Sequence, residues 1–152
     1  MMAIDKYKDS MRLGELIPIT DQRYADVDVS GITLDSRSIV PGEVFLACPG
    51  HTVDGRDYIP QAIANGAAAV VVEQDANWES NSEQQGVPII VVAKLAAKLS
   101  DIAGRFYRYP AQSLSLVGVT GTNGKTSCTQ LYLQLVNLLG KSCGVIGTLG
   151  AG

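Results

Sequence analysis

The stretch Gly118-Val-Thr-Gly-Thr-Asn-Gly-Lys-Thr-Ser127 holds the residue types from which a phosphate site is built. Glycines let a backbone wrap closely around phosphate oxygens, and a helix that starts at the loop supplies unpaired N–H groups and a positive dipole end. The common phosphate-loop spelling, G-x-x-x-x-G-K-[ST], sets its first glycine five residues before the second. Counted back from Gly124, that position is Val119, and the glycine stands one place earlier, at Gly118. The loop is therefore one residue longer, with no working part lost. Gly121, Thr122, Asn123, Gly124, Lys125, Thr126 and Ser127 are the candidate nucleotide contacts. Lys125 is placed to reach β and γ phosphates and stabilise their charge, and the Thr126 hydroxyl to ligate Mg2+. The alternative is a tight strand-to-helix turn with Lys125 merely solvated.

A second group lies in Gly31–Ile59, GITLDSRSIVPGEVFLACPGHTVDGRDYI. Ser36 offers a hydroxyl, His51 with Thr52 and Val53 occupies a glycine-flanked turn, and Arg37 and Arg56 are available to an anionic diphosphate, as a nucleotide sugar would require. Each also has a plain reading: Asp35-Ser36 and Asp54-Gly55 as turns, Arg56 in a surface ion pair. His51 is the single histidine, read as a ligand contact and not a general base. With one imidazole, any metal must be held by oxygens. Cys48, Cys128 and Cys143 are odd in number and never in C-x-x-C spacing, so each is expected to be a small core residue. Trp78, Tyr107 and Tyr109 are assigned to packing.

These residues need elements to position them. Apolar runs of strand length occur at GITLDS, EVFLAC, AAAVVVE, PIIVVA and LSLVGVT, the last three continuous, as in strands buried on both faces. Helical spacing appears in DYIPQAIANG, closing at Asn65-Gly66, and in KLAAKLSDIAGRFYRYP, which puts Leu95, Leu99, Ile102 and Phe106 on one stripe. Residues 77–86, NWESNSEQQG, read as a polar surface loop. After YRYPAQS comes a strand, LSLVGVT, then the loop, then a helix with Cys128, Leu131, Leu135 and Leu138 on its expected inner face, then a further strand begun by KSCGVIG. The fold class is α/β: a small mixed-sheet domain over 1–110, then, in 111–152, the first strand-loop-helix-strand unit of a phosphate-loop ATPase domain. One such unit cannot cover its own sheet faces, so the chain is expected to be a piece of a larger protein.

The 152 residues are 46% apolar and 18% charged, the composition of a globular protein. Twelve basic against fifteen acidic residues give a net charge of -3 with no basic patch, which argues against a nucleic-acid partner. The charged N-terminus is no secretory signal and no run is long enough to span a membrane, so a cytoplasmic protein without membrane contacts is expected. A monomer is expected.

GVTGTNGKTS resembles the ATP-binding loop of the Mur ligases and the related folylpolyglutamate synthetases, in which T-G-T-N-G-K-[ST] is the norm. T-L-D-S-R at 33–37, Pro41-Gly42 before a strand, and G-H-x-x-D-G-R at 50–56 are similar to the amino-terminal domain of the Mur ligases that add the third peptide residue. The likeness continues through IPQAIANGAAAVVVE and IAGRFYRYP to IGTLG, nearly the whole chain after about residue 12. It implies an ATP-dependent carbon–nitrogen ligase of peptidoglycan precursor synthesis, which activates a carboxylate as an acyl phosphate from which an amine then displaces phosphate, forming an amide. The implied substrates are ATP with Mg2+, UDP-MurNAc-L-Ala-D-Glu and a diamino acid, meso-diaminopimelate expected over lysine. It further implies that Leu34 and Ser36 contact the uridine, that His51, Thr52 and Val53 line the same pocket, and that Lys125 acts on the ATP phosphates. The other metal ligands and a carbamylated lysine are implied beyond Gly152, so residues 1–152 are expected to be inactive alone. Two alternatives stay open: a stand-alone uridine-nucleotide binding module, and a folylpolyglutamate synthetase-like ligase. The second is disfavoured because that group's loop lies near the N-terminus.

Overall fold

The structure, a computed structural model, describes residues 10–18, 21–50 and 53–151, and the chain divides into two compact units, 1–113 and 114–152. The first is built on a five-stranded sheet ordered β3-β4-β5-β7-β6. Strands β3 (Gly31–Thr33), β4 (Glu43–Ala47), β5 (Ala69–Glu73) and β7 (Val87–Val92) run parallel, while β6 (Ser82–Gln84) lies antiparallel on the edge. A two-stranded ribbon of β1 (Met11–Arg12) and β2 (Asp28–Val29) precedes the sheet.

Successive strand residues point to opposite faces, and the apolar runs fill both. Val44, Leu46, Val71, Ile90 and Val92 join Leu13 and Leu16 of α1 (Leu13–Leu16) and Leu95, Ile102 and Phe106 of α3 (Leu95–Phe106) in one cluster. Phe45, Ala47, Val70, Val72 and Ile89 join Ile59, Ala62 and Ile63 of α2 (Ile59–Ala64) in the other. The predicted stripe of α3 is the packed one, with Leu99 partly buried at its margin. Helix α3 begins after Lys94 at φ 55, without a cap from its own N-terminal side chain. The Glu73 carboxylate at the end of β5 accepts from the Ala96 N–H at 3.1 Å, satisfying a first-turn donor from across the sheet. As expected, α2 ends at Asn65-Gly66, where Gly66 takes φ 93.

Residues 77–86 are not simply a loop, because they contain β6. The two residues between β6 and β7, Gln85 and Gly86, both have positive φ, as a type I′ hairpin demands. Gln-Gly is a weak version of that signal, and a short polar strand shows no apolar alternation, so the hairpin was illegible in sequence. Trp78 packs partly buried on the α2-side cluster.

In the second unit α4 (Lys125–Leu138) forms as expected, but the strands foreseen on either side of it do not. Residues 115–120 form no strand, and the later segment yields only a short hairpin, β8 (Ile146–Gly147) with β9 (Gly150–Ala151). A strand is defined by neighbours that take up its N–H and C=O groups, and no described residue of this unit provides them. The face of α4 expected inside is exposed, Leu131 at 66%, while Thr129, Leu133 and Val136 are half-covered. Apolar residues nearly encircle α4, so spacing alone selects no face. None of the cysteines is fully buried: Cys48 and Cys143 are half-buried and Cys128 is exposed, all with free thiols. Among the described residues no helix is long and apolar enough to cross a membrane.

The cores predict two contrasting substitutions. Ile90→Ala, at a position 1% exposed, should lose about 2–5 kcal/mol in urea denaturation. Leu34→Ala, at a position 58% exposed, should stay within about 0.5 kcal/mol.

Candidate functional site

In the first unit a cleft of about 550 Å3 opens at the carboxyl ends of β3 and β4, a usual place for ligands in open α/β sheets. Leu34, Ser36 and Val53 line it together, with Phe45, Cys48 and Tyr58. His51 and Thr52 lie outside the described residues.

The turn after β3 is held by its own side chains. Thr33 Oγ1 accepts from the Asp35 N–H at 3.1 Å, and Asp35 Oδ1 accepts from the Arg37 N–H at 3.0 Å. This local bonding throws Leu34 outward and turns Ser36 inward, where it is 5% exposed and the single buried polar residue among those described. The Ser36 hydroxyl donates to Gln61 Oε1 at 2.8 Å, and Asn65 Nδ2 donates to the Ser36 carbonyl at 2.8 Å. Gln61 and Asn65 lie one turn apart at α2's end, and neither stood out in sequence. An amide pair at i, i+4 was the available signal, but it is shared by many solvated helix faces.

The turn after β4 is tighter. Gly50 N–H donates to Val53 O and Gly55 N–H to Cys48 O, each at 3.0 Å. A Cβ on Gly55 would meet the Cys48 carbonyl oxygen at 2.6 Å, so a backbone contact excludes any other residue there. Asp54 repeats the Asp35 device, accepting from the Arg56 N–H at 3.0 Å and from the Arg56 guanidinium.

Neither arginine is free for a diphosphate, contrary to the sequence expectation. Arg37 is paired in a fork with Asp35, at 2.9 and 2.8 Å. Arg56 is clasped between Asp54 and Asp75 with its side chain only 19% exposed, the structural role that its turn position allowed. The electrostatics follow. Hydrogen bonds from the Arg37 side chain, then from its backbone N–H, hold the Asp35 carboxyl at about 2, below the ordinary 3.8. Arg56 likewise lowers Asp54 through its side chain, and the Asn77 N–H with Arg56 lowers Asp75. Burial, with the charge of Glu73 behind it, pushes the Cys48 thiol up and keeps it protonated.

In the second unit the phosphate-loop candidates assemble at the start of α4. Gly121 has φ 150 and Gly124 φ 76, backbone that L side chains rarely adopt, whereas Gly118 has no positive φ and open space around it. The two glycines set by conformation are those shared with the folding-back of the loop, which is why the shifted Gly118 is tolerated. The first intrahelical bond runs from Cys128 N–H to Gly124 O at 2.9 Å, and no side chain caps the helix. The N–H groups of Lys125, Thr126 and Ser127 precede that bond. Lys125 Nζ donates to Gly121 O at 2.6 Å, closing the loop on itself. Lys125 and Thr126 also line a cleft of about 330 Å3 with Thr129, Gln130 and the β8–β9 hairpin. Gly121, Thr122, Asn123, Gly124 and Ser127 belong to the same turn and first helical turn but do not line this cleft.

Arg37→Ala should raise the Asp35 pKa from about 2 toward 3.8 without reaching it, because the backbone N–H at position 37 still donates to the carboxylate, followed by carboxyl 13C NMR. The sign is that of a depressed carboxylate: the pair's contribution is complete above pH about 4 and lost as pH falls through about 2. The variant should show a smaller loss over that interval, the part due to the backbone N–H remaining.

Residues 28–107 match the family described as Mur ligase family, catalytic domain. A protein of Pseudomonas putida named UDP-N-acetylmuramoyl-L-alanyl-D-glutamate--2,6-diaminopimelate ligase is 60% identical over 80% of this chain and 24% of its own length. Its Pseudomonas aeruginosa namesake is 49% identical over 93% of this chain and 28% of its own. The chain thus spans about a quarter of the length of these relatives. A solved structure of a ligase with the same name superposes with a TM-score of 0.70 at 26% identity, over 95% of this chain and 29% of that one. A MurF ligase from Thermotoga maritima in complex with ADP gives 0.52 at 28% identity, over 70% of this chain and 23% of that one. With more than half its residues inside the family match, the chain belongs to the Mur ligase family.

Proposed function

We propose that this chain is the amino-terminal part of an ATP-dependent ligase that joins meso-diaminopimelate to UDP-MurNAc-L-Ala-D-Glu in the cytoplasm, a step of peptidoglycan precursor synthesis. The observation that carries this reading is the 60% identity to the Pseudomonas putida ligase of that name over 80% of the chain. Residues 1–110 are the UDP-sugar domain and 111–152 the start of the ATP domain. Leu34, Ser36, His51, Thr52 and Val53 are the substrate contacts, and Gly121, Thr122, Asn123, Gly124, Lys125, Thr126 and Ser127 the ATP contacts. Residues 1–152 alone are inactive, and the enzyme is a monomer that binds neither nucleic acid nor membrane.

The loop fits a triphosphate with its metal. Two positive-φ glycines open the backbone, three first-turn N–H groups have no earlier helical acceptor, and Lys125 and Thr126 share one cleft. Bound ATP with Mg2+ would supply the phosphoryl group that makes the substrate carboxylate electrophilic. Lys125 would move its ammonium from the Gly121 carbonyl to phosphate oxygens and offset negative charge as it develops, an electrostatic role without covalent chemistry. The Thr126 hydroxyl would hold the metal. In the other unit, the bent turns after β3 and β4 would grip the uridine end and leave the peptide carboxylate to be presented to ATP.

Lys125→Ala in the full-length enzyme should lower kcat at least about a hundredfold with the fold intact by circular dichroism. Near-normal turnover would remove the loop from the chemistry. Ser36→Ala should raise KM for the UDP-sugar peptide about tenfold, the value of one buried hydrogen bond to ligand, with KM for ATP unmoved. Equal effects on both substrates would place the pocket elsewhere.

A further inference from the structure

We infer that Gln61 is a positioning residue that makes the Ser36 hydroxyl an obligate hydrogen-bond acceptor toward the cleft, so that this subsite selects a base edge that donates. The inference rests on the substrate-cleft reading above and adds its polarity.

A serine hydroxyl has one proton and two lone pairs. Here the proton is committed, since Ser36 Oγ donates to Gln61 Oε1 at 2.8 Å, and a carbonyl oxygen can only accept. What remains on Oγ for a ligand is acceptor capacity. The serine cannot swing away to donate elsewhere. Its backbone carbonyl is tied to Asn65 Nδ2 at 2.8 Å, its neighbour Asp35 is locked by Thr33 and Arg37, and the residue is 5% exposed. Gln61 and Asn65 come from one rigid face of α2, whose opposite side is anchored by Ile59, Ala62 and Ile63 in the core. Side chain and main chain of Ser36 are thus held from the same helix.

Pyrimidine bases differ along this edge. Uracil carries an N–H donor at position 3 and an acceptor oxygen at position 4, where cytosine carries an acceptor nitrogen and a donor amine. Set against position 3, an acceptor-only hydroxyl pairs with uracil and opposes cytosine lone pair to lone pair, and a buried polar group left unpaired is strongly disfavoured. A hydroxyl free to rotate would serve either base. Discrimination would therefore come from Gln61, a residue outside the lining of the cleft.

The test is calorimetric titration of the full-length enzyme with UDP-MurNAc-L-Ala-D-Glu and with its cytidine counterpart, using Gln61→Met, Gln61→Glu and Ser36→Ala. Methionine keeps the length of glutamine but removes the acceptor. It should weaken the uridine compound about tenfold and shrink the uridine-over-cytidine preference by a similar factor. Glutamate offers only acceptors, so the Ser36 proton must still point to it, and it should restore both affinity and preference. The inference is overturned if Gln61→Glu weakens binding as much as Gln61→Met, which would mean that Ser36 donates to the ligand, or if Gln61→Met leaves the preference between bases intact. Should Ser36→Ala bind the uridine compound like the wild type, the substrate-cleft reading itself fails, whatever the Gln61 variants do.

Discussion

The constraint on which the first unit depends is that β4, β5 and β7 have no polar face. Val44, Phe45, Leu46 and Ala47 are all buried, as are Ala69 through Val72, so both sides of the sheet must be roofed. The chain meets this by sending α2 to one side and α3, with α1, to the other. The connections then have little freedom at the strand ends. After β3 and β4 the backbone must turn within a few residues, and both turns face the same cleft. The position of the candidate uridine site is thus a by-product of sheet packing, and its chemistry resides in what the turns carry.

Both turns use the same local device, an aspartate that accepts from the N–H two residues on and grips the arginine there in a fork. Asp35 with Arg37 and Asp54 with Arg56 do so at the cleft, and Asp21 with Arg23 does so in the short turn before β2. Such a turn carries its own counter-charge and needs nothing from the rest of the protein to be stable. The loop at α4 is held differently, by glycine conformation and by one lysine-to-carbonyl bond.

The buried parallel strands and α2 and α3 were legible because continuous Val, Ile and Ala runs and a three-to-four-residue stripe have few other uses. The turn into α4 stood out through its glycines and Lys125. What escaped had weak or local signals. Strand β6 is polar and joined by Gln85-Gly86, and the apolar stretch around 115–120 reads as a strand yet finds no ladder. Arg37 and Arg56 looked like anion ligands because sequence shows a charge and conceals its partner. Gln61 escaped because its importance lies 25 residues away, in the hydroxyl it orients.

The paired turns also determine how a ligand would arrive. Each arginine beside the cleft is matched at contact distance by a carboxylate, and Arg56 by two, so the cleft mouth presents dipoles and no net positive field. A nucleotide sugar carrying a diphosphate would gain no long-range pull from these guanidinium groups and would be captured on contact, by shape and hydrogen bonding. Diffusional capture at this cleft would then vary little with ionic strength, unlike the response of sites that draw in phosphates with unpaired lysines and arginines.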